Sequence, residues 1–262
     1  MSQERATQIL KMLRRARPGA RVELVHDSPF RLLVATILSA QCTDARVNLV
    51  TPSLFRAWPD ARALAGADPR DLEETIRSTG FFRAKARSLK AMSHALLDRH
   101  GGEVPRTMDE MTRLPGVGRK TANVVLGAGY GIASGIVVDT HAARVAQRLG
   151  LTRESDPVRI ERDLMAVIPR EDWIFASIAL VLHGRYVCQA RLPRCSECPL
   201  SPHCPSKNLE SELRAGKGRS VKARASGKGA VRASASRRPA SRRRPAGLRA
   251  KPAARRPARG RS

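Results

Sequence analysis

Four of the five cysteines in this 262-residue chain lie within 17 residues, and their spacing constrains the local fold strongly. They read C-x6-C-x2-C-x5-C and are Cys188, Cys195, Cys198 and Cys204. Thiolates this closely spaced can face one centre, which suits either a four-thiolate zinc ion or a cubane iron-sulfur cluster. Disulfides are the alternative, but the chain lacks the positive start, long apolar run and cleavage site of a secretory signal. We therefore expect a reducing, cytoplasmic environment and a metal centre.

The composition changes abruptly near residue 209. Residues 211–262 contain 18 Lys and Arg and one acid, Glu212, for a net charge of +17, whereas the remainder of the chain carries +9. Almost no large apolar side chains occur there, so the segment cannot bury enough surface to offset its conformational entropy. We expect residues 209–262 to form a disordered basic tail whose natural partner is nucleic acid. A membrane partner is not expected, because no stretch approaches 18 uninterrupted apolar residues.

Helix start signals recur through the rest of the chain. An N-cap residue precedes a proline at the first helical position three times, in Ser28-Pro29, Asp68-Pro69 and Asp156-Pro157. Thr107 and Glu110 have the capping-box spacing. About ten helices are predicted, and only the apolar residues 136–138 could be extended. The predicted fold class is therefore all-α.

The stretch L-P-G-V-G-R-K-T-A, residues 114–122, lies between two predicted helices and has the composition of a phosphate-binding turn. Pro115 ends one helix, while Gly116 and Gly118 permit positive φ and close backbone approach. The turn and the next helix start can then present N–H groups to a phosphate. A plain interhelical turn is the alternative, but the full pattern favours a helix-hairpin-helix that grips DNA without reading bases. The residues expected to contact DNA here are Leu114, Gly116, Val117, Gly118 and Arg119.

Four motifs together resemble the endonuclease III family of DNA glycosylase/AP lyases. They are the hairpin, L-S-A-Q at 38–41, V-D-T-H at 138–141 and H-G-R-Y at 183–186. The resemblance covers roughly residues 1–208. It implies a six-helix barrel domain of residues 21–132, containing the hairpin, and a second helical domain of residues 1–20 and 133–208. It also implies that the four cysteines bind a [4Fe-4S] cluster in that second domain, which selects iron-sulfur over zinc.

The resemblance assigns catalytic roles to Lys120 and Asp139. On residue type alone, a lysine after a phosphate-binding turn is most simply another phosphate contact. The bifunctional family members have an amine nucleophile at this position, which implies attack of Lys120 on the sugar C1′ and a Schiff base that opens the sugar for β-elimination. Asp139 matches the V-D-T-H motif and would support base loss and later proton transfers. An ordinary N-cap for the following helix is equally consistent with Asp139.

Further residues are expected to handle the DNA. The target nucleotide must leave the stack, at a cost of roughly a few kcal/mol, and Gln41 matches the family residue that fills the gap. Phe81 and Phe82 could wedge into the opposite strand, although aromatic side chains are more often buried. Near the cluster, a short loop is expected to offer three phosphate contacts, Arg185, Arg191 and Arg194.

The combined expectation is a monomeric, nucleoid-associated DNA glycosylase with AP lyase activity. Its partner would be double-stranded DNA that contains damaged bases, specifically oxidised pyrimidines, or abasic sites. A pyrimidine-dimer or mismatch glycosylase on the same scaffold is one alternative, because pocket residues outside the motifs choose the base. A non-catalytic, histone-like DNA-binding protein is the alternative from another class, and Lys120 together with Asp139 counts against it.

Overall fold

Helices form nearly all of the regular structure. The computed structural model describes residues 2–215, which contain eleven α-helices up to Tyr186, a further helical stretch at residues 209–215 and no strand. The helices are α1 (Gln3–Ala16), α2 (Pro29–Leu38), α3 (Asp44–Ala57), α4 (Ala61–Ala65), α5 (Pro69–Ile76), α6 (Phe82–His100), α7 (Met108–Thr112), α8 (Arg119–Val124), α9 (Thr140–Arg148), α10 (Pro157–Val167) and α11 (Trp173–Tyr186). The all-α prediction is confirmed, and residues 136–138 are irregular rather than a strand. None of the described helices is long and apolar enough to cross a membrane.

The predicted caps begin the helices for which they were predicted. Side-chain oxygens of three N-cap residues accept hydrogen bonds from backbone N–H groups of the first turn, namely Ser28, Asp68 and Asp156. Thr107 caps α7 by accepting from the Glu110 N–H at 3.3 Å, and its hydroxyl donates to the Glu110 carboxylate at 2.6 Å. These starts were predictable because a cap depends only on residues within one helical turn.

The buried apolar side chains form two separate clusters. The first cluster extends from Leu24, which precedes α2, to Leu126, in the segment that follows α8. The second joins α1 to residues 136–200 of the C-terminal half. The α2 helix lies at the centre of the first cluster, with Leu32, Leu33 and Leu38 fully buried, and each such side chain contributes roughly 1.5–3 kcal/mol. The boundaries of the two predicted domains stay a prediction.

The first residues of the predicted tail have regular structure. Residues 209–215 are helical, and the Glu210 carboxylate accepts hydrogen bonds from the Ser196 N–H at 3.0 Å and the Ser196 hydroxyl at 3.1 Å. The sequence did not predict this contact with the cysteine-containing segment. The rest of the predicted tail, residues 216–262, lies outside the described residues.

Close packing of α9 on α11 depends on Gly184. A Cβ atom there would lie 2.8 Å from the His141 Cβ and 2.9 Å from the His141 carbonyl oxygen. Only a glycine allows this approach, which places the start of α9 beside the end of α11. The glycine of the H-G-R-Y motif therefore helps to build the site described next.

Candidate active site

Lys120 and Asp139 line the same cleft. A mostly apolar cavity and an adjoining groove share five lining residues: Ser39, Asp44, Lys120, Asp139 and Arg185. Gln41 lines the groove only. These residues come from α3, α8, the start of α9, α11 and the segment after α2. The fold thus brings the two predicted catalytic residues together with the residue predicted to fill the gap in DNA.

Asp139 is the N-cap of α9 and is half-buried. Its Oδ1 atom accepts hydrogen bonds from the N–H groups of His141 and Ala142, both at 2.8 Å. These bonds fix the carboxylate at the edge of the cavity. They also hold its negative charge at the N-terminus of α9, where the helix dipole favours an anion. The capping interpretation is confirmed, and it is compatible with a role in the cleft.

Lys120 is the second residue of α8 and its side chain is exposed. A buried acid on α10, Glu161, holds this short helix: it accepts from Arg119 Nε at 2.6 Å and from Asn123 Nδ2 at 2.8 Å. The Ser134 hydroxyl donates to Asn123 Oδ1 at 2.9 Å. Arg119 is therefore engaged by a carboxylate as well as being partly exposed, which the sequence did not predict.

The hairpin turn has one glycine in the left-handed region. Gly116 has φ +77°, and a Cβ there would lie 2.9 Å from the Ser88 Cβ of α6. Gly118 has φ −92° and open space beside it, so only Gly116 adopts the positive φ that both glycines permit. Leu114 and Val117 are buried in the first cluster, so their side chains are not available for the predicted DNA contacts.

Two exposed residues, one of which lines the groove, have left-handed backbone conformations. Gln41 has φ 52° and Phe81 has φ 49°, and they are the only non-glycine residues with positive φ in residues 2–215. Phe81 is 66% exposed, whereas Phe82 is half-buried against the first cluster. The predicted burial therefore holds for Phe82, which packs against the core, and not for Phe81, which faces solvent.

Arg185 lies within α11 and not in the cysteine loop, so its predicted location is wrong. Its Nη1 atom donates to Glu23 Oε2 at 2.6 Å and to Asp44 Oδ2 at 2.5 Å. Burial alone would lower the pKa of Arg185, but the hydrogen bonds and charges of these acids outweigh burial and raise it. The Tyr186 hydroxyl donates to Glu23 Oε1 at 2.5 Å. A phosphate would have to compete with both carboxylates for this guanidinium, whereas Arg191 and Arg194 are exposed.

The four clustered cysteines line a second, small cavity. All are free thiols, so the disulfide alternative has no support. Within residues 2–215 no group of three or more Cys, His, Asp or Glu side chains has the spacing of a site for one metal ion. Arg148 Nη1 lies 3.4 Å from Cys188 Sγ. Burial raises the pKa of Cys198 to about 11, and a bound metal would favour its thiolate form.

Three acids in or behind the cleft were not predicted from the sequence. Glu161 had a weak signal, since it lies three residues before the buried Leu164 and therefore on the buried face of α10. Glu23 and Asp44 had none, because their partner Arg185 is 162 and 141 residues away in the sequence. Their roles depend entirely on the tertiary fold.

Comparison with known proteins places this architecture in a family. The sequence model of the HhH-GPD superfamily base excision DNA repair proteins matches residues 34–170. Endonuclease III of Synechocystis sp. is 55% identical over 203 residues, which cover 78% of this chain and 93% of the relative. Endonuclease III of Escherichia coli is 38% identical over 207 residues, or 79% of this chain and 98% of the relative.

Solved structures agree with the sequence relatives. A non-covalent endonuclease III–DNA complex has a TM-score of 0.77 and 41% identity, covering 81% of this chain and 99% of that protein. A trapped endonuclease III–DNA covalent intermediate has a TM-score of 0.76 and 41% identity, with coverages of 80% and 99%. A thermostable thymine-DNA glycosylase, at 19% identity and a TM-score of 0.72 over 79% of this chain and 98% of its own, shares the fold. The chain therefore belongs to the endonuclease III family of base excision repair DNA glycosylase/AP lyases.

Proposed function

We propose that this glycosylase/AP lyase removes oxidised pyrimidines from duplex DNA and cleaves the strand through a Schiff base at Lys120. The observation that carries the proposal is the cleft, in which Lys120 and Asp139 line one cavity and Gln41 lines the groove that opens from it. Its mostly apolar interior suits an extruded base. The trapped covalent intermediate described for the related endonuclease III is consistent with such chemistry.

The proposed reaction begins with the neutral Lys120 amine attacking the sugar C1′. The C1′–N bond to the damaged base breaks, and the base leaves with the electron pair. Positive charge that develops on the sugar is stabilised by the Asp139 carboxylate, which its capping bonds hold in place. The proton that the amine loses is transferred to O4′ as the C1′–O4′ bond opens, giving a protonated Schiff base and a free O4′ hydroxyl. Loss of a C2′ proton and of the 3′ phosphate cleaves the strand, and water releases Lys120.

Contacts to the DNA backbone are proposed for the hairpin and the cysteine loop. Backbone groups of residues 114–119 would position phosphates, with Arg191 and Arg194 adding charge. We assign Arg185 instead to fixing the cleft, because Glu23 and Asp44 already bind its guanidinium. Gln41 would fill the space left by the extruded nucleotide. We further propose that the enzyme acts as a monomer in the cytoplasm, on nucleoid DNA.

The proposed cofactor is a [4Fe-4S] cluster held by Cys188, Cys195, Cys198 and Cys204. Support comes from the cavity that all four thiols line and from the nearby Arg148, whose charge would offset that of the thiolates. In such a cluster each of the four thiolates would bind a different iron atom. The cluster would supply a rigid anchor for the loop that carries Arg191 and Arg194.

Borohydride trapping tests the nucleophile. A duplex with one oxidised pyrimidine should give a reduced covalent adduct, and peptide mass mapping should locate it at Lys120. Lys120→Gln should give no adduct while still binding the duplex, because the amine is lost and the hairpin remains. An adduct on another lysine, or retained strand cleavage by the variant, would refute the assignment.

Lesion choice requires a separate comparison. A mismatch or pyrimidine-dimer glycosylase on this scaffold would release a mispaired thymine or a dimer faster than an oxidised pyrimidine in single-turnover assays with matched duplexes. We expect the oxidised pyrimidine to be released fastest.

A further inference from the structure

Lys85 is a buried cation that the reaction does not use. It lies on α6, is 5% exposed, and donates hydrogen bonds to the carbonyl oxygens of Leu38 at 2.7 Å and Thr79 at 2.8 Å. Burial lowers the pKa of its ammonium, and the charge of Cys42 opposes that effect. An apolar side chain would fill such a position without the cost of removing a charge from water. The two carbonyl partners therefore indicate why a charged side chain occupies this buried position.

Both carbonyls lie at helix ends. Leu38 is the last residue of α2, and Thr79 is the last residue of the short 3₁₀ helix Arg77–Thr79. Carbonyl groups in a final helical turn lack partners within the helix and carry partial negative charge. One ammonium group therefore satisfies two helix ends that are far apart in the sequence.

The two segments that Lys85 joins carry the two exposed, left-handed residues. Gln41 follows Leu38 by three residues, and Phe81 follows Thr79 by two. Left-handed conformations are costly for residues with a Cβ, and they persist only where the surrounding structure enforces them. Lys85 binds the residues that precede both loops, and it can therefore hold both left-handed conformations in place.

We propose that Lys85 is a positioning residue that fastens the Gln41 loop and the Phe81 loop into one rigid unit for opening the DNA stack. This inference rests on the proposed function, in which a nucleotide must leave the duplex before Lys120 attacks it. Gln41, in the groove beside Lys120, would fill the gap, while Phe81 presents an exposed ring from the second loop. Lys85 thereby serves extrusion of the nucleotide and takes no part in bond making or breaking.

The test compares two substrates that differ in the need for extrusion. One is a duplex with an oxidised pyrimidine, and the other is a single-stranded oligonucleotide with a preformed abasic site. Lys85→Met in the full chain should slow single-turnover cleavage of the duplex by about 10- to 100-fold, since a displacement of about 1 Å in a positioning group can cost about 100-fold. Cleavage of the single strand should change less than about 2-fold, because neither loop is needed there.

Lys90→Met provides a matched control. Lys90 lies on the same helix and also donates to two backbone carbonyls, those of Ala65 and Ala67, which lie near the end of α4. This variant should leave the ratio of the two rates unchanged. An equal loss on both substrates in Lys85→Met, or an unchanged duplex rate, would overturn the role of Lys85. A wild-type chain inactive on both substrates would overturn the proposed function and this inference with it.

A double-mutant comparison adds an independent measurement. If Lys85 acts through Gln41, then Gln41→Ala should slow duplex cleavage less in the Lys85→Met background than in the wild type. Additive effects of the two changes would contradict the proposal. Should Lys85→Met fail to fold, Lys85→Gln keeps a neutral donor at the site, and the same two-substrate ratio and the same comparison with Gln41→Ala apply to it.

Discussion

Two glycines that lie two residues apart in the hairpin turn meet different demands. Gly116 needs both its left-handed backbone and its missing Cβ, because the turn approaches Ser88 of α6 closely. Gly118 is extended, with open space around it, and is the N-cap of α8. A side chain at Gly118 would meet open space, whereas one at Gly116 would overlap with Ser88 and push the turn away from α6.

We expect Gly116→Ala to destabilise the protein by about 1–3 kcal/mol, because it adds strain at positive φ and an overlap with Ser88. Urea unfolding measures this loss. Gly118→Ser is the matched control and should leave stability unchanged or slightly higher, since serine is a favoured N-cap residue. Equal stability of the two variants would contradict the assignment of the strain to Gly116.

At the level of elements, a short helix is held by an acid from another helix. The six-residue α8 carries Lys120, and Glu161 of α10 binds Arg119 and Asn123 on either side of that lysine. Space for this acid exists only because residue 135 is glycine, where a Cβ would lie 2.2 Å from Glu161 Oε1. The orientation of α8 in the cleft therefore depends on Glu161, which lines neither the cavity nor the groove.

Glu161→Gln should destabilise the protein by about 1–2 kcal/mol, because the amide cannot replace the charge-assisted bond to Arg119. The expected loss of stability is no larger because the Arg119 side chain is 43% accessible, and solvent weakens its ion pair with Glu161. The variant should also slow borohydride trapping, since α8 loses its anchor. Denaturant unfolding and the trapping rate measure the two effects.

Glu154→Gln is the control for this change. Glu154 pairs with Arg159 at 3.6 Å, and both side chains are exposed, so removing its charge should alter stability by less than about 0.5 kcal/mol. A loss as large as that of Glu161→Gln would show that the buried position of Glu161 is not the cause.

At the scale of the whole molecule, positive charge is carried both by residues 1–215 and by the C-terminal residues 216–262. Residues 216–262 contain 17 Lys and Arg and no acid. Each phosphate that such a segment neutralises releases condensed counterions and steepens the salt dependence of binding. The cleft is formed by residues 2–215, so we expect catalysis and most of the long-range attraction to DNA to reside in different parts of the chain.

Removal of residues 216–262 should flatten the slope of log binding constant against log salt for undamaged duplex DNA. Single-turnover cleavage at saturating enzyme should change less than about 2-fold, because the catalytic residues remain. A chain with this segment's Lys and Arg replaced by Gln controls for its length. An unchanged salt slope after truncation would refute the assignment of non-specific affinity to this segment.

The sequence by itself determined the features that depend on neighbouring residues. Helix starts at Ser28, Asp68 and Asp156, the cap on α9 at Asp139, and the left-handed turn at Gly116 all arise from interactions within a few residues. The all-α class follows from the repetition of such signals. Motif resemblance added the family and selected Lys120 and Asp139.

Only the tertiary structure decided how distant residues are paired. It paired Arg185 with Glu23 and Asp44. It exposed Phe81 while packing Phe82 against the core. It also placed the Lys85 ammonium against the carbonyl groups of Leu38 and Thr79. Such pairings join residues whose separation in the sequence leaves no periodic or local signal, and their energies come from burial that exists only once the helices have packed. The chemistry was thus readable in short motifs, whereas the groups that hold it in position emerged from the fold.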